Sequence, residues 1–253
     1  MQTVTHSASD AHRAELLAEL RDGLARLQPE IPSRYLADPE GQQLRSRVGE
    51  VFAHRHAVER SLMATILPAF AGPEAAQPND GRRVFFCLAN ALGRTTTIGS
   101  VRLLRELRAR MRGDDSLVIG VDLRNSLPEL ERLLDDPDGI NAAFHQGVLF
   151  MLNERFDADF DAGSLTYRVL PRPELQRLET RMVARRSLEV RIGGAVALSL
   201  RKAGSILMSV RCTFTRNSLE ALLNGVGLEL TRWVSDDLDQ YAVGVCVPMR
   251  REG

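Results

Sequence analysis

The amino-acid sequence predicts an α/β fold, because two apolar runs flank a helical pattern between Arg83 and Leu123. Residues 84–92 and 117–121 are almost continuously apolar, and Gly113 lies in the turn before the second run. The segment between the runs has apolar residues at helical spacing, namely Ile98, Val101, Leu104, Leu107 and Met111. Strands that are apolar on both faces are covered by helices on both sides, which indicates a parallel βαβ unit. Open α/β sheets place ligands at the carboxyl ends of such strands.

Composition narrows the class of protein. The chain has 253 residues, 44% of them apolar, which favours a packed core over disorder. Its 33 basic and 33 acidic residues cancel, so no nucleic-acid or anionic-membrane partner is expected. Cys87, Cys212 and Cys246 lie far apart in apolar contexts and are expected to be free thiols. Neither a signal peptide nor an apolar run of about 18 residues is apparent, so we expect no membrane span and a cytoplasmic protein.

The N-terminal part is predicted to be helical. A first helix has an apolar stripe that ends before Pro29, a second is expected at 42–51, and a third runs through Val58 to Leu67. The sequence AGPEAAQPNDGR at 71–82 has the proline and glycine content of a linker.

The region after the βαβ unit mixes helices and strands. Helices are predicted at 127–134, 140–156 and 217–224, and Gly193-Gly194 forms a hairpin turn. Residues 206–213 fit either a strand or a helix. The predicted strands are 165–170, 178–184, 188–192, 196–200, 228–234 and 241–247.

Several segments together carry a family resemblance. They are LQPEIPSRYLADPEG (27–41), GDDSLVIGVDL (113–123), DDPDGINAAF (135–144), VLFMLNERFDADFD (148–161), VRIGG (190–194), RCTF (211–214) and GLELTRW (227–233). In these segments the chain resembles the histidine-specific, SAM-dependent Nα-methyltransferase family of the ergothioneine-pathway type. The resemblance covers most of the chain.

The resemblance implies that one part of the family's fold is missing. The family has its first three sheet strands, its glycine-rich SAM turn and its ribose-binding acid between the N-terminal helices and the strand at 83–92. Only the segment from Ser61 to Arg82 fills that gap, and it contains no GxGxxG-like turn. The chain is therefore interpreted as an internally truncated, divergent member that keeps about four strands of a Rossmann-like methyltransferase sheet. The strands that remain are those at 83–92, 115–123, 228–234 and 241–247.

This interpretation gives a domain plan. Residues 1–70 form an N-terminal helical segment and 71–82 a linker. Residues 83–134 and 214–253 form the remnant of the Rossmann-like domain, and 135–213 an inserted α+β domain of the substrate-binding type.

The positions that match the family's substrate contacts hold other residue types here. They are His54, Arg94, Leu134, Thr180, Ser209 and Arg211, and together with Asp122 they are the candidates for a substrate or ligand pocket. Loss of every contact implies that the family's substrate is not bound. Arg94 and Arg211 either line an anion pocket, which guanidinium groups suit, or are solvated or paired with Asp122 at the end of the second strand. No metal site is expected, because His54 and His56 would point about 200° apart on a helix.

The missing strands would leave the strand at 83–92 as a hydrophobic edge of the kind that pairs or aggregates. Three arrangements would cover this edge: folding of the N-terminal helices over it, pairing of two copies as a homodimer, or addition of the missing strands by a heteromeric partner. We favour the homodimer. No cofactor is expected for the chain alone, and SAM only if a partner completes the site.

Two functions stay open. The first, which the missing SAM turn and the changed substrate contacts favour, is a non-catalytic binding or partner protein in a small-molecule pathway for amino-acid-derived compounds. The second is an enzyme for an amino-acid-like or anionic substrate, with altered chemistry or with a methyltransferase site completed by a partner. No catalytic residue is identified.

Overall fold

The structure, a computed structural model, describes residues 3–37, 53–69, 81–135 and 138–249. The helix predicted at 42–51 and nearly all of the linker lie outside these residues. The described helices are α1 (Thr3–Leu24), α2 (Ala53–Ile66), α3 (Thr97–Arg110), α4 (Leu127–Asp135), α5 (Ile140–Phe156) and α6 (Arg216–Asn224). The strands are β1 (Val84–Cys87), β2 (Ser116–Asp122), β3 (Leu165–Arg172), β4 (Arg177–Ala184), β5 (Leu188–Ile192), β6 (Ala195–Leu200), β7 (Ser205–Cys212), β8 (Leu228–Ser235) and β9 (Tyr241–Pro248).

The chain divides into two compact units. The four-strand unit comprises Val51–Leu133, Pro171–Leu178 and Val210–Gly253, and the α+β unit comprises Met1–Glu50, Leu134–Leu170 and Glu179–Ser209. None of the described helices is both long enough and apolar enough to cross a membrane.

The four-strand unit contains the predicted βαβ element. Its sheet has the order β1-β2-β9-β8, with β1 parallel to β2 and β9 antiparallel to both of its neighbours. The register places Asp122, the last residue of β2, opposite Tyr241, the first of β9. The α/β fold class and the four strands of this sheet are confirmed.

Both faces of this sheet are covered, as the burial of β2 requires. Helices α3 and α6 pack on one face around Leu104, Ile119 and Leu223. Helix α2 packs on the other face through Leu62, Met63 and Ile66, where it meets Val118 and Val243. Because α2 contacts chiefly β9 on that face, β1 is covered less completely than its neighbours.

Strand β1 is shorter than predicted and lies at an edge. The strand expected at 83–92 is wrong beyond Cys87, because Ala89 and Asn90 both adopt left-handed backbone conformations, with φ of 55° and 52°. A strand cannot continue through such residues. Among the described strands β1 pairs only with β2, and Val84 and Phe86 are 37% and 52% exposed.

The α+β unit has a separate core between α1, α5 and the strands, centred on Leu24, Leu152 and Met182. Strands β3, β4 and β7 form one sheet, which assigns the ambiguous segment at 206–213 to a strand. Strands β5 and β6 form the predicted hairpin, and Gly193 and Gly194 occupy its turn with positive φ.

Candidate functional site

Polar side chains gather at the carboxyl ends of β1 and β2, around the fully buried carboxylate of Asp122. Arg55 Nη1 donates to Oδ1 at 2.8 Å. The other oxygen, Oδ2, accepts from Asn90 Nδ2 at 2.7 Å and from Arg211 Nη1 at 3.4 Å. Two guanidinium groups and one amide therefore converge on a single carboxylate, which is the arrangement that a buried charge needs.

Helix α2 supplies two of the groups at this site. Arg55 and Glu59 are four residues apart and so lie on one face of the helix, and they are 5% and 8% exposed. Arg55 also donates to Glu129 Oε2 at 2.6 Å through Nη2. Its Nε–H is buried without a hydrogen-bond partner, which costs about 1–3 kcal/mol unless a ligand or water accepts it.

Glu59 holds the turn that follows β1. Its Oε1 accepts from the backbone N–H of Ala89 at 2.7 Å and from the hydroxyl of Tyr241. The backbone N–H of Asn90 donates to the same hydroxyl at 3.3 Å. Burial, and next the hydrogen bond to Glu59, raise the pKa of Tyr241, so this phenol stays protonated and donates.

Gly120, in the middle of β2, makes room for this contact. A Cβ atom added there would lie less than 3.0 Å from both Glu59 Oε1 and Tyr241 Oη. Glycine at this position therefore permits a close approach of two side chains and does not serve a special backbone conformation.

Burial and ion pairing shift the pKa values of Asp122 and Arg211 in opposite directions. Burial raises the pKa of Asp122, while Arg211 and Arg55 oppose that shift. Burial lowers the pKa of Arg211, and Asp122 opposes it. Each group depends on its partners to remain charged in this position.

A small cavity of about 20 Å³ lies within the cluster, enough for about one water-sized group. It is lined by Arg55, His56, Ala89, Asn90, Arg94, Asp122, Arg211 and Tyr241, all of the four-strand unit.

The structure brings together three of the residues predicted for the site. Arg94, Asp122 and Arg211 line the same cavity, and Arg211 pairs with Asp122, as one of the two interpretations expected. Arg94 is exposed, and its side chain makes no ion pair within the described residues. His54 is also exposed and is not part of the lining, whereas His56 is.

The remaining candidates belong to the α+β unit. The hydroxyls of Thr180 and Ser209 hydrogen-bond to each other. Leu134 is buried, and its carbonyl oxygen accepts from the Tyr167 hydroxyl at 2.9 Å. These contacts hold the unit's own strands and helices, and the role of the three residues in a pocket stays a prediction.

Sequence reasoning missed Arg55, Glu59, Asn90 and Tyr241. The sequence does place Arg55 and Glu59 four residues apart, on one face of a predicted helix, but charged residues at this spacing are most often solvated. Asn90 offered a better signal, because it is the only polar residue in the run from Val84 to Leu92.

Comparison with known proteins gives one family match and two similar sequences. The model of a family described as "Histidine-specific methyltransferase, SAM-dependent" matches residues 53–248. Histidine N-alpha-methyltransferase of Mycobacterium tuberculosis (strain CDC 1551 / Oshkosh) is 30% identical over 169 residues, 66% of this chain and 53% of that protein. The Mycolicibacterium smegmatis protein of the same name is 28% identical over 171 residues, 67% of this chain and 53% of that protein.

This chain thus spans about half the length of both relatives. Among solved structures, an S-adenosylmethionine-dependent methyltransferase of Clostridium acetobutylicum ATCC 824 aligns with a TM-score of 0.37 at 8% identity. That alignment covers 76% of this chain and 73% of the other.

The expectation that the chain takes no cofactor is wrong. The matching family is described as SAM-dependent, so a SAM cofactor is expected. The prediction failed because it relied on the missing glycine-rich segment more than on the similarity of the rest of the sequence to a SAM-dependent family.

The described residues of the four-strand unit do not by themselves fit SAM. A cavity of about 20 Å³ is far smaller than the roughly 300 Å³ or more that a ligand of this size requires. The turn after β1, where backbone N–H groups would face a ligand, instead donates to Glu59 and Tyr241.

The family match extends over both units and far more than half of the sequence. The chain belongs to the family of histidine-specific, SAM-dependent methyltransferases.

Proposed function

We propose that this chain is part of a SAM-dependent methyltransferase and that a second polypeptide, paired at β1, completes its site. The acceptor of the methyl group is a small amino-acid-like or anionic molecule. The relatives are named for histidine. The family resemblance implies, however, that six positions matching the family's substrate contacts hold other residue types here.

The edge position of β1 carries this proposal. Among the described strands β1 has one neighbour, and the aromatic ring of Phe86 is half exposed beside it. An edge strand with unpaired backbone groups and an apolar surface is a template for a further strand. In the family resemblance, the strand next to this position belongs to the SAM-binding part.

A partner with its own SAM-binding turn suits the site better than a second copy. A copy would pair with β1 and cover Phe86, but it would bring the same residues and hence no additional glycine-rich turn. The homodimer stays a prediction that size-exclusion chromatography with light scattering would test.

Photo-crosslinking with radiolabelled SAM tests the proposal. The tagged chain is isolated from its native cells as the wild type, as Phe86→Arg and as Phe150→Arg. Phe150 on α5 is 56% exposed and serves as the matched control. The label is expected on a second polypeptide with the wild type and Phe150→Arg, and not with Phe86→Arg, since a charge at this edge opposes pairing.

Two results would overturn the proposal. The first is saturable micromolar binding of SAM to the purified chain alone, measured by calorimetry. The second is an unchanged crosslink with Phe86→Arg.

A non-catalytic partner of a methyltransferase is the second candidate. The cavity favours it, because Arg55, Arg211 and Asn90 already satisfy Asp122 and little space remains. Methyl transfer by the SAM-binding partner at the same rate without this chain would support this second candidate.

A further inference from the structure

Helices cover the two faces of the four-strand sheet unequally. On one face, the core under α3 and α6 includes buried residues of all four strands. On the other face, the core under α2 includes buried residues of β2 and β9 but, within the described residues, none of β1. A strand occupies about 4.8 Å of a sheet and a packed helix about 8–10 Å, so one helix covers about two strands. The face under α2 therefore has room for one more helix, over β1.

The side chains of Val84 and Phe86 lie on this uncovered strip. Phe85 and Cys87 pack in the core under α3, so the alternate residues of β1 point to the face of α2. Val84 and Phe86 are 37% and 52% exposed. Val118, which is the neighbour of Phe86 on β2, is 0% exposed beneath α2. One strand spacing thus separates a fully covered side chain from a half-exposed phenylalanine.

The side of α2 that borders the strip adds one apolar residue and one charge. His56 lines the strand-end cavity together with Ala89, which follows β1, so this side of the helix faces β1. Arg60 lies one helical turn after His56, and Leu67, directly after α2, lies three turns after it. Leu67 is 43% exposed, and the exposed Arg60 forms no ion pair within the described residues. The charge of Arg60 is thus available to a carboxylate of another polypeptide.

A second copy paired antiparallel at β1 would leave the strip open. Each copy would bring its own α2 in the same position, because a two-fold axis relates identical surfaces. The two strips would adjoin and leave about two strand widths, or one helix, uncovered between the two α2 helices. The strip instead fits a polypeptide that brings a helix of its own.

We infer that a helix of the partner polypeptide packs beside α2, over β1 and the strand that the partner adds. Its apolar face covers Val84, Phe86 and Leu67, and an acidic side chain at its border pairs with Arg60. The inference rests on the proposed function in taking a partner at β1. It adds that this partner is a layered α/β polypeptide and not a single extended strand.

Hydroxyl-radical footprinting with mass spectrometry tests the inference. The samples are the purified chain and the complex isolated with the tagged chain from its native cells. Oxidation of Phe86 and Leu67 is expected to fall at least about fivefold in the complex, as full burial in an interface core requires. Ile98, which is 83% exposed on α3 and so lies on the opposite face, is the matched control. Its oxidation should be equal in both samples.

Amide hydrogen exchange on the same samples measures strand pairing separately. The carbonyl oxygen of Arg83 accepts from the backbone N–H of Ser116 in β2 at 3.0 Å. Because alternate residues of a strand direct their backbone groups to opposite sides, Val84 and Phe86 direct theirs to the open edge. Protection of these two amides in the complex reports on the added strand, and hence on the proposed function.

Charge reversal at Arg60 tests the predicted ion pair. Arg60→Glu should lower the recovery of the complex by about threefold or more, because it replaces an attraction by a repulsion. Arg60→Lys keeps the charge and should retain the complex. Arg105→Glu on α3 is the matched control, since Arg105 is also exposed and forms no ion pair within the described residues.

Three results would overturn the inference: equal oxidation of Phe86 in the complex and in the chain alone, slow oxidation of Phe86 in the chain alone, or a complex with the mass of two copies. Protected amides together with an oxidised Phe86 would remove the helix and leave the proposed function standing. Absence of any second polypeptide would remove both.

Discussion

Replacing Asp122 by alanine gives the sharpest test of the buried cluster. The substitution removes the acceptor of Arg55 Nη1, Asn90 Nδ2 and Arg211 Nη1. Arg55 keeps its bond to Glu129, so part of its charge stays compensated. Breaking a buried ion pair from one side costs about 3–5 kcal/mol, which corresponds to a fall in Tm of about 6–20 °C for a chain of this size.

Urea denaturation followed by tryptophan fluorescence measures this loss. The single tryptophan, Trp233, lies on β8 and reports on the four-strand unit. Asp114→Ala is the matched control, because Asp114 is exposed and should change the free energy of unfolding by less than about 0.5 kcal/mol. A loss below about 1 kcal/mol for Asp122→Ala would refute the view that its carboxylate holds the cluster together.

A double-mutant cycle with Arg55→Ala separates pairing from packing. The two changes should be non-additive by about 0.5–3 kcal/mol, because each removes the partner of the other. Additive effects would contradict direct pairing of these side chains.

Three further predictions concern acid stability, thiol reactivity and backbone strain. Hydrogen bonds from Arg83 lower the pKa of Asp115 to about 2. The contribution of Asp115 to stability is thus complete above its ordinary pKa near 3.8 and is lost as the pH falls towards 2. The free energy of unfolding of Asp115→Asn should therefore depend less on pH over that range than that of the wild type. Burial raises the pKa of Cys87 to about 11 and of Cys246 to about 12, so mass spectrometry should find both unmodified after native iodoacetamide treatment at pH 8. Ala89→Gly should stabilise the protein by up to about 1 kcal/mol in urea, because glycine adopts its positive φ without strain.

Each of these predictions has a control and an opposing result. For Asp114→Asn, the free energy of unfolding should depend on pH as it does in the wild type. An equally weakened pH dependence in this variant would contradict the role of Asp115. Labelling of the two thiols as rapid as in urea-unfolded protein would contradict their burial. Ala91 has an ordinary φ of −58°, so Ala91→Gly should destabilise the protein. A gain in stability equal to that of Ala89→Gly would contradict the view that positive φ strains Ala89.

The βαβ element could be predicted because Leu104 and Leu107 repeat at helical spacing between two apolar runs. The length of β1 could not, since alanine gives no sequence signal for the left-handed conformation and asparagine gives a weaker one than glycine. Ala89 and Asn90 take this conformation because contacts with Glu59 and Tyr241 fix it, and those residues are distant in sequence.

The candidate site was predicted in part. Arg94, Asp122 and Arg211 followed from the strand-end rule and from the family resemblance, and the structure places all three around one cavity. Arg55 was missed because a helix with several charged residues looks solvated in sequence, and only the packing of α2 on the sheet shows which charges are buried. The cofactor prediction was wrong for a different reason, namely that a missing segment was taken as a missing activity.

The close approach at Gly120 bears on how this protein can evolve. Any side chain at that position requires the Glu59 carboxylate and the Tyr241 hydroxyl to shift, and these two groups accept the hydrogen bonds that hold the end of β1. A single nucleotide change can therefore alter the end of β1 without altering one charge. In a duplicated gene such a step would leave the fold in place, because Leu62, Met63 and Ile66 still pack α2 on the sheet, and selection could then act on the rearranged turn.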